Sequence, residues 1–374
     1  MLYLDNAATS YQKPSCLYRA MAHNTKYLSA NAGRGGHKYS IAAAEKIAET
    51  AEELAELFNI GNSSQIAFTQ NATYALNMAI IGLAKDNHVI MTSMEHNSVL
   101  RPAAANCRYT IVYADKDGFV APSDIENVIN PDTRLIVCTH VSNVCGSIQP
   151  IEEIGKIAKK HNIPFLVDTA QGAGAVDIDV QRCNISMLAF SGHKSLLGPM
   201  GTGGLYVDEN IKLEPLIRGG TGSQSESLDQ PDFMPDMLQS GTLNTPAIAS
   251  MAESIRFIKK YSVNAILTHE RQMAEKFISE LKNMDNVTVY GTDNINKRNG
   301  TVAFNIGNLD SGEVSDILNN DYGIAVRGGW HCAYLAHKTI GSEKSGAVRA
   351  SFGFFNNMRD VAKITDAVNK IRKK

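Results

Sequence analysis

A lysine stands in the turn Ser191-Gly192-His193-Lys194-Ser195, between the apolar run Met187-Leu188-Ala189-Phe190 and the later run Leu205-Tyr206-Val207. Such runs read as buried strands, and a merely solvated charge has no reason to sit where two of them converge on a pocket. Upstream, Ile163-Pro164-Phe165-Leu166-Val167 ends on Asp168, followed by Thr169, Ala170 and Gln171. An amine at one strand end and an acid at another suit pyridoxal phosphate (PLP), whose aldehyde takes an amine and whose ring nitrogen needs a carboxylate.

The elements that position these groups alternate as strand, helix and strand from about residue 65 to 207, the pattern of an α/β sheet with mostly parallel strands. In such sheets ligands sit beyond the carboxyl ends of the strands, and Asn143, Asp168, Gln171 and Lys194 all follow such ends. Strands are expected at 65–69, 88–92 and 134–140, with helices at 74–83 and 151–160. Gln70-Asn71-Ala72-Thr73 opens the first of these helices, where free N–H groups suit an anion. His96 falls just past the strand at 88–92. In most proteins it would be an ordinary loop histidine; beside a flat cofactor it could stack on the ring and exchange protons.

Before this region, the glycine-rich basic loop Asn31-Ala32-Gly33-Arg34-Gly35-Gly36-His37-Lys38 leads into an amphipathic helix expected over 40–58 with Ser40 as its N-cap. Arg34 and His37 read equally as a solvated linker or as a wall of the pocket, since glycines beside cations let backbone approach an anionic ligand. After it, residues 222–236 read as a polar loop rather than packed structure, closing on Gly241-Thr242-Leu243-Asn244-Thr245 ahead of a helix over 247–260. The remainder reads as a small α+β domain with strands at 287–290, 301–306, 323–326 and 348–352 and helices at 312–319 and 360–372. Inside it, Arg327-Gly328-Gly329-Trp330-His331-Cys332 sets one thiol beside two cationic side-chain types. Cys332 reads equally as a structural thiol or as a nucleophile whose thiolate Arg327 and His331 favour. One cysteine with His331 and His337 is poor zinc spacing, and no metal site is expected.

Composition bounds the rest. At 374 residues a large domain plus a smaller one is the expectation, and 44% apolar with 20% charged residues describes a globular chain. A net charge of -2 gives no basic excess for a nucleic-acid backbone. No basic n-region opens the chain and no apolar run approaches a membrane span, so neither a signal peptide nor a membrane partner is expected. Six scattered cysteines fit reduced thiols in the cytoplasm.

Taken together, Asn143, Asp168-Thr169-Ala170-Gln171, Ser191-Gly192-His193-Lys194, the Gly241–Thr245 loop, the Arg327–Cys332 loop and Arg349-Ala350-Ser351 resemble the cysteine desulfurase and selenocysteine lyase family. These are class V aminotransferase-like, fold type I PLP enzymes, and the short Cys332 loop is similar to their group II branch. The resemblance runs from Tyr3-Leu4-Asp5-Asn6-Ala7-Ala8 to the terminal helix. It implies a large PLP domain over 16–258 with a mostly parallel seven-stranded sheet, a small C-terminal α+β domain over 259–374, and a segment 1–15 packing with the small domain.

The resemblance further implies roles. Lys194 would bind the cofactor aldehyde and then move the substrate's α-proton, Asp168 would pair with the ring nitrogen, Gln171 would bond the phenolic oxygen, and His96 would stack on the ring. Thr73, Ser191 and His193 would hold the phosphate, with Thr242 reaching in from the second subunit of a homodimer. Arg349 would clamp the substrate carboxylate with Asn143 assisting, and Arg34 and His37 would flank the substrate. Cys332 would take sulfur from L-cysteine as a persulfide, releasing alanine, and pass it to an acceptor protein or small thiol, as in iron–sulfur cluster assembly. L-selenocysteine is the alternative substrate; another class V aminotransferase-type reaction is a further one. Trp330 and Ala72 stand where the family commonly carries other side chains.

Overall fold

The computed structural model describes residues 1–33 and 35–373, so the expectation for Arg34 lies outside the described residues. Its main sheet has seven strands in the order Ile66–Thr69, Gly203–Val207, Met187–Ser191, Phe165–Asp168, Thr133–Thr139, His88–Thr92 and Arg108–Val112. Only Gly203–Val207 runs against the rest; it is antiparallel to both neighbours, and every other pair is parallel. The expected α/β architecture with a mostly parallel seven-stranded sheet is therefore present.

The physical cause is burial on both faces, which makes strands read as continuous apolar runs. All five residues are buried in each of His88–Thr92, Met187–Ser191 and Gly203–Val207. Alternate side chains feed two separate cores. Phe165, Val167, Leu188 and Phe190 meet the helices Lys38–Phe58, Ile151–Lys160 and Thr245–Tyr261, whereas Leu166, Met187, Ala189 and Leu205 meet Ala72–Ala84 and Asn97–Asn106. Burying each such side chain is worth about 1.5–3 kcal/mol, so the register of the strands is strongly specified.

A second sheet places Thr301–Ile306 between Val287–Tyr290 and Val348–Ser351, all antiparallel. Helices Val263–Lys282, Ser311–Tyr322 and Met358–Ile371 close its core, where Phe277 meets Phe304 and Phe352 edge-on. The amino terminus binds both sheets' neighbourhoods. Leu2–Tyr3 pairs in parallel with Ile324–Ala325, and a few residues on the Ser10 N–H and Lys13 Nζ donate to the His193 carbonyl at 3.1 and 2.9 Å.

Several local expectations change. The N-cap of Lys38–Phe58 is His37, whose Nδ1 accepts from the Ser40 N–H at 3.2 Å; Ser40 lies inside the helix. Part of the 222–236 loop and its continuation is packed, since Met234, Met237 and Leu238 join a core. Helices Ser15–Tyr27, Asn97–Asn106, Val263–Lys282 and Tyr334–Ile340 have no counterpart in the sequence reading.

Candidate active site

A cavity of about 260 Å³ opens at the carboxyl ends of the parallel strands, as strand-end placement requires. Thr73, His96, Asn143, Asp168, Gln171, Ser191, His193, Lys194, Cys332 and Arg349 all line it. Two expected residues do not: His37 is exposed and occupied with its cap, and Thr242 is exposed on its loop.

Lys194 and Asp168 come from successive strands of the sheet. The turn carrying Lys194 is tight because a Cβ on Gly192 would stand 2.2 Å from Thr202 Oγ1. Burial lowers the lysine ammonium to about 8 while Asp168 pulls the other way. Among the described residues its Nζ has no hydrogen-bond partner. Asp168 accepts from the Ala170 N–H at 2.9 Å, and its carboxyl is raised by burial, with that hydrogen bond and Lys194 opposing. An amine that gives up its proton more readily than an ordinary lysine, in the same cavity as a secluded acid, suits condensation with an aldehyde.

Another part of the cavity wall suits an anion. Helix Ala72–Ala84 starts there, capped by Asn71 on the Tyr74 N–H, with the Ala72 N–H donating to Ser191 Oγ at 3.0 Å. Thr73 Oγ1 lies 2.8 Å from Ser98 Oγ, and His193 Nδ1 lies 3.0 Å from Thr9 Oγ1. His96 caps the next helix: its Nδ1 accepts from the Ser98 N–H at 3.0 Å, so a neutral ring carries its hydrogen on Nε2. Burial first, then Lys194 and Arg349, push His96 down to about 4.

Arg349 enters from the small sheet and is almost wholly buried. Its Nη1 donates to the Asn143 carbonyl and its Nη2 to Asp5, each at 2.8 Å, while Nε has no partner among the described residues. Asn143 in turn donates its amide to the His331 carbonyl at 2.7 Å. Cys332 is exposed at the cavity. The reading in which His331 supplies a cation to this thiol is corrected: the ring bonds His337 and the Arg327 carbonyl, and burial holds it well below the usual histidine range. Trp330 lies half-exposed beside the loop, its indole N–H donating to the Glu343 carbonyl at 2.9 Å. Gln171 Nε2 donates to the Ala7 carbonyl at 2.8 Å.

The aminotransferase class-V family model matches residues 2–364. The chain belongs to the class V aminotransferase family. Among relatives of this class V protein, the probable cysteine desulfurase of Methanothermobacter thermautotrophicus is 35% identical over 99% of this chain and 94% of its own length. The cysteine desulfurase of Escherichia coli O7:K1 is 30% identical over 100% of this chain and 94% of its own. Among solved structures, the apo cysteine desulfurase of Thermococcus onnurineus superposes with a TM-score of 0.92 at 33% identity, covering 100% of this chain and 94% of that one.

In this class V enzyme, sequence reasoning gave no role to Asp5, Glu95 and Ser342, and weighed His337 only as a poor zinc ligand. Asp5 was visible only as part of an opening motif, with no local sign that it meets a residue 344 positions away. Glu95 is fully buried beside His96, accepting from Thr92 Oγ1 and the Thr139 N–H at 2.6 and 2.9 Å; burial pushes its carboxyl up to about 8. A carboxyl just past a buried strand and next to a site histidine was the available signal.

Proposed function

We propose that this protein is a PLP-dependent cysteine desulfurase that converts L-cysteine to L-alanine and leaves the sulfur on Cys332 as a persulfide. The observation that carries the reading is the convergence of Lys194, Asp168, Arg349 and Cys332 on one cavity. The relatives' names as cysteine desulfurases point the same way.

The residues present fit the cofactor. A secluded carboxylate, an amine free of hydrogen bonds among the described residues, and a helix start flanked by hydroxyls form one donor set. When bound, PLP supplies an aldehyde for the substrate amine and an electron-poor ring that takes up electron density from Cα. Lys194 would hold that aldehyde between turnovers and would move the Cα proton during them. Asp168 would keep the ring nitrogen protonated, Gln171 would bond the phenolic oxygen, and neutral His96 would stack on the ring. Thr73, Ser191, His193 and the start of helix Ala72–Ala84 hold the phosphate, with Thr242 completing the set from the second copy in a homodimer.

Arg349 fixes the substrate carboxylate, for which a guanidinium's fork is suited, and Asn143 assists. Cys332 Sγ, as thiolate, attacks the substrate sulfur: an S–S bond forms, the Cβ–S bond breaks, and Cβ takes up a proton. The sum is L-cysteine plus Cys332 thiol giving L-alanine plus Cys332 persulfide. An acceptor protein or small thiol then removes the sulfur, in the cytoplasm, for uses such as iron–sulfur cluster assembly. The segment 1–15, the large domain 16–258 and the small domain 259–374 are the units we assign to this work.

The test is to load the purified protein with PLP, add L-cysteine, and follow alanine while mapping Cys332 by mass spectrometry. Alanine with one added sulfur atom on Cys332 is the expected result. Pyruvate formation without alanine, or sulfur-free Cys332 under turnover, would sink the proposal.

A further inference from the structure

Cys332 sits on backbone that has to be held. His331 and Cys332 are both left-handed, at φ 49° and 56°, a region that side chains with a Cβ adopt under strain. Two hydrogen bonds fix their main chain: Asn143 Nδ2 to the His331 carbonyl at 2.7 Å, and the Asn97 N–H to the Cys332 carbonyl at 2.8 Å. The ring of His331 is fixed from the other side.

That ring belongs to a relay with one direction. His331 Nε2 lies 3.1 Å from the Arg327 carbonyl, which only accepts, so Nε2 carries the hydrogen. Nδ1 is then the bare nitrogen of a neutral ring, and it accepts from His337 Nε2 at 3.1 Å. His337 Nδ1 accepts in turn from Ser342 Oγ at 2.7 Å. Both rings are buried, and burial, with Arg349 adding to it, lowers His337 to about 4 and His331 well below its usual range. A proton on His331 would set two N–H groups against each other across the link to His337. The Arg327 carbonyl at the end of the relay also accepts the Arg349 N–H at 2.8 Å, which joins it to the strand carrying the guanidinium.

Neither His337 nor Ser342 lines the cavity, and no step of desulfuration uses them. We infer that His337 is a positioning residue: by donating its Nε2–H to the bare Nδ1 of His331, with Ser342 as its anchor, it fixes that ring and so holds the Cys332 thiol where sulfur transfer needs it. The effect on sulfur transfer rests on the desulfurase reading above; the tautomers do not.

The experiment compares PLP-loaded wild type with His337→Met, which fills the space without donating, and His337→Gln, which keeps an N–H near the lost Nε2. In a single turnover, Met should slow persulfide formation on Cys332 about tenfold or more, as a misplaced reacting group does. KM for L-cysteine and the absorbance of bound PLP should stay unchanged, and Gln should recover most of the rate. Wild-type rate in the Met variant, equal losses in both variants, or a loss confined to KM overturns the inference. Imidazole ¹⁵N spectra of the wild type at neutral pH supply a readout independent of activity, with both rings expected as Nε2–H. An Nδ1–H tautomer on either ring overturns the relay. If the wild type never gains sulfur on Cys332, the desulfurase reading falls, and the ¹⁵N spectra still decide the relay.

Discussion

Arg349 Nη2 lies 2.8 Å from Asp5 Oδ1, with the guanidinium 3% and the carboxylate 18% exposed. The cation is thus paired and aimed before any substrate carboxylate arrives. Removing one partner of a buried pair leaves an uncompensated charge, so Asp5→Ala should cost about 3–5 kcal/mol of stability in urea unfolding. Asp5→Asn keeps an oxygen acceptor and should lose less. Equal stability of wild type and Asp5→Ala would show that the pair is not coupled to folding.

Arg349→Lys tests the substrate clamp. An ammonium is a point charge without the planar fork, so KM for L-cysteine should rise by about tenfold or more while the spectrum of bound PLP is retained. An unchanged KM would remove Arg349 from substrate binding.

Lys194 sets a pH dependence. Only its neutral amine condenses with an aldehyde, and burial lowers the ammonium to about 8. Loading of the cofactor-free protein with PLP should therefore accelerate about tenfold per pH unit and level off above about 8, whereas an ordinary lysine would keep accelerating past about 10. Stopped-flow absorbance across that range decides between the two profiles.

Cys332→Ala should abolish desulfuration of L-cysteine and leave PLP binding intact, because the variant lacks the attacking thiolate. Activity on L-selenocysteine should persist in part, since selenium leaves more readily. Full activity of the variant on L-cysteine would remove the persulfide route.

Glu270, on helix Val263–Lys282, has its carboxyl pushed up to about 8 by burial from an ordinary 4.5. Between those values the folded chain holds a proton that the unfolded chain has released, so this group's effect on stability is absent below about 4.5 and grows unfavourable as pH rises towards 8. Chemical unfolding should show that Glu270→Gln loses less stability than wild type between about pH 5 and 8. Parallel losses would mean that Glu270 ionises in the fold at its ordinary value.

The helices absent from the sequence reading show what local pattern hides. Asn97–Asn106 contains Pro102, a residue that removes an N–H and breaks most helices, so the stretch gives no helical signal. Thr245–Tyr261 and Val263–Lys282 meet at Ser262, at φ 68°, with no glycine or proline to mark the break. Ser40 looked like a cap, but His37 reaches the orphan N–H because its ring nitrogen lies at capping distance.

By itself the sequence determined the parallel sheet and the strand-end groups Asn143, Asp168, Gln171 and Lys194, because alternation and apolar runs are local properties that burial imposes directly. It also determined the thiol loop and its kinship. Only the tertiary structure decided the charge states. Whether His331 is a cation or a neutral link, and which acid faces Arg349, depends on His337, Ser342 and Asp5 arriving from other segments. Desolvation and hydrogen bonding set those states through distance in space, to which spacing along the chain is blind.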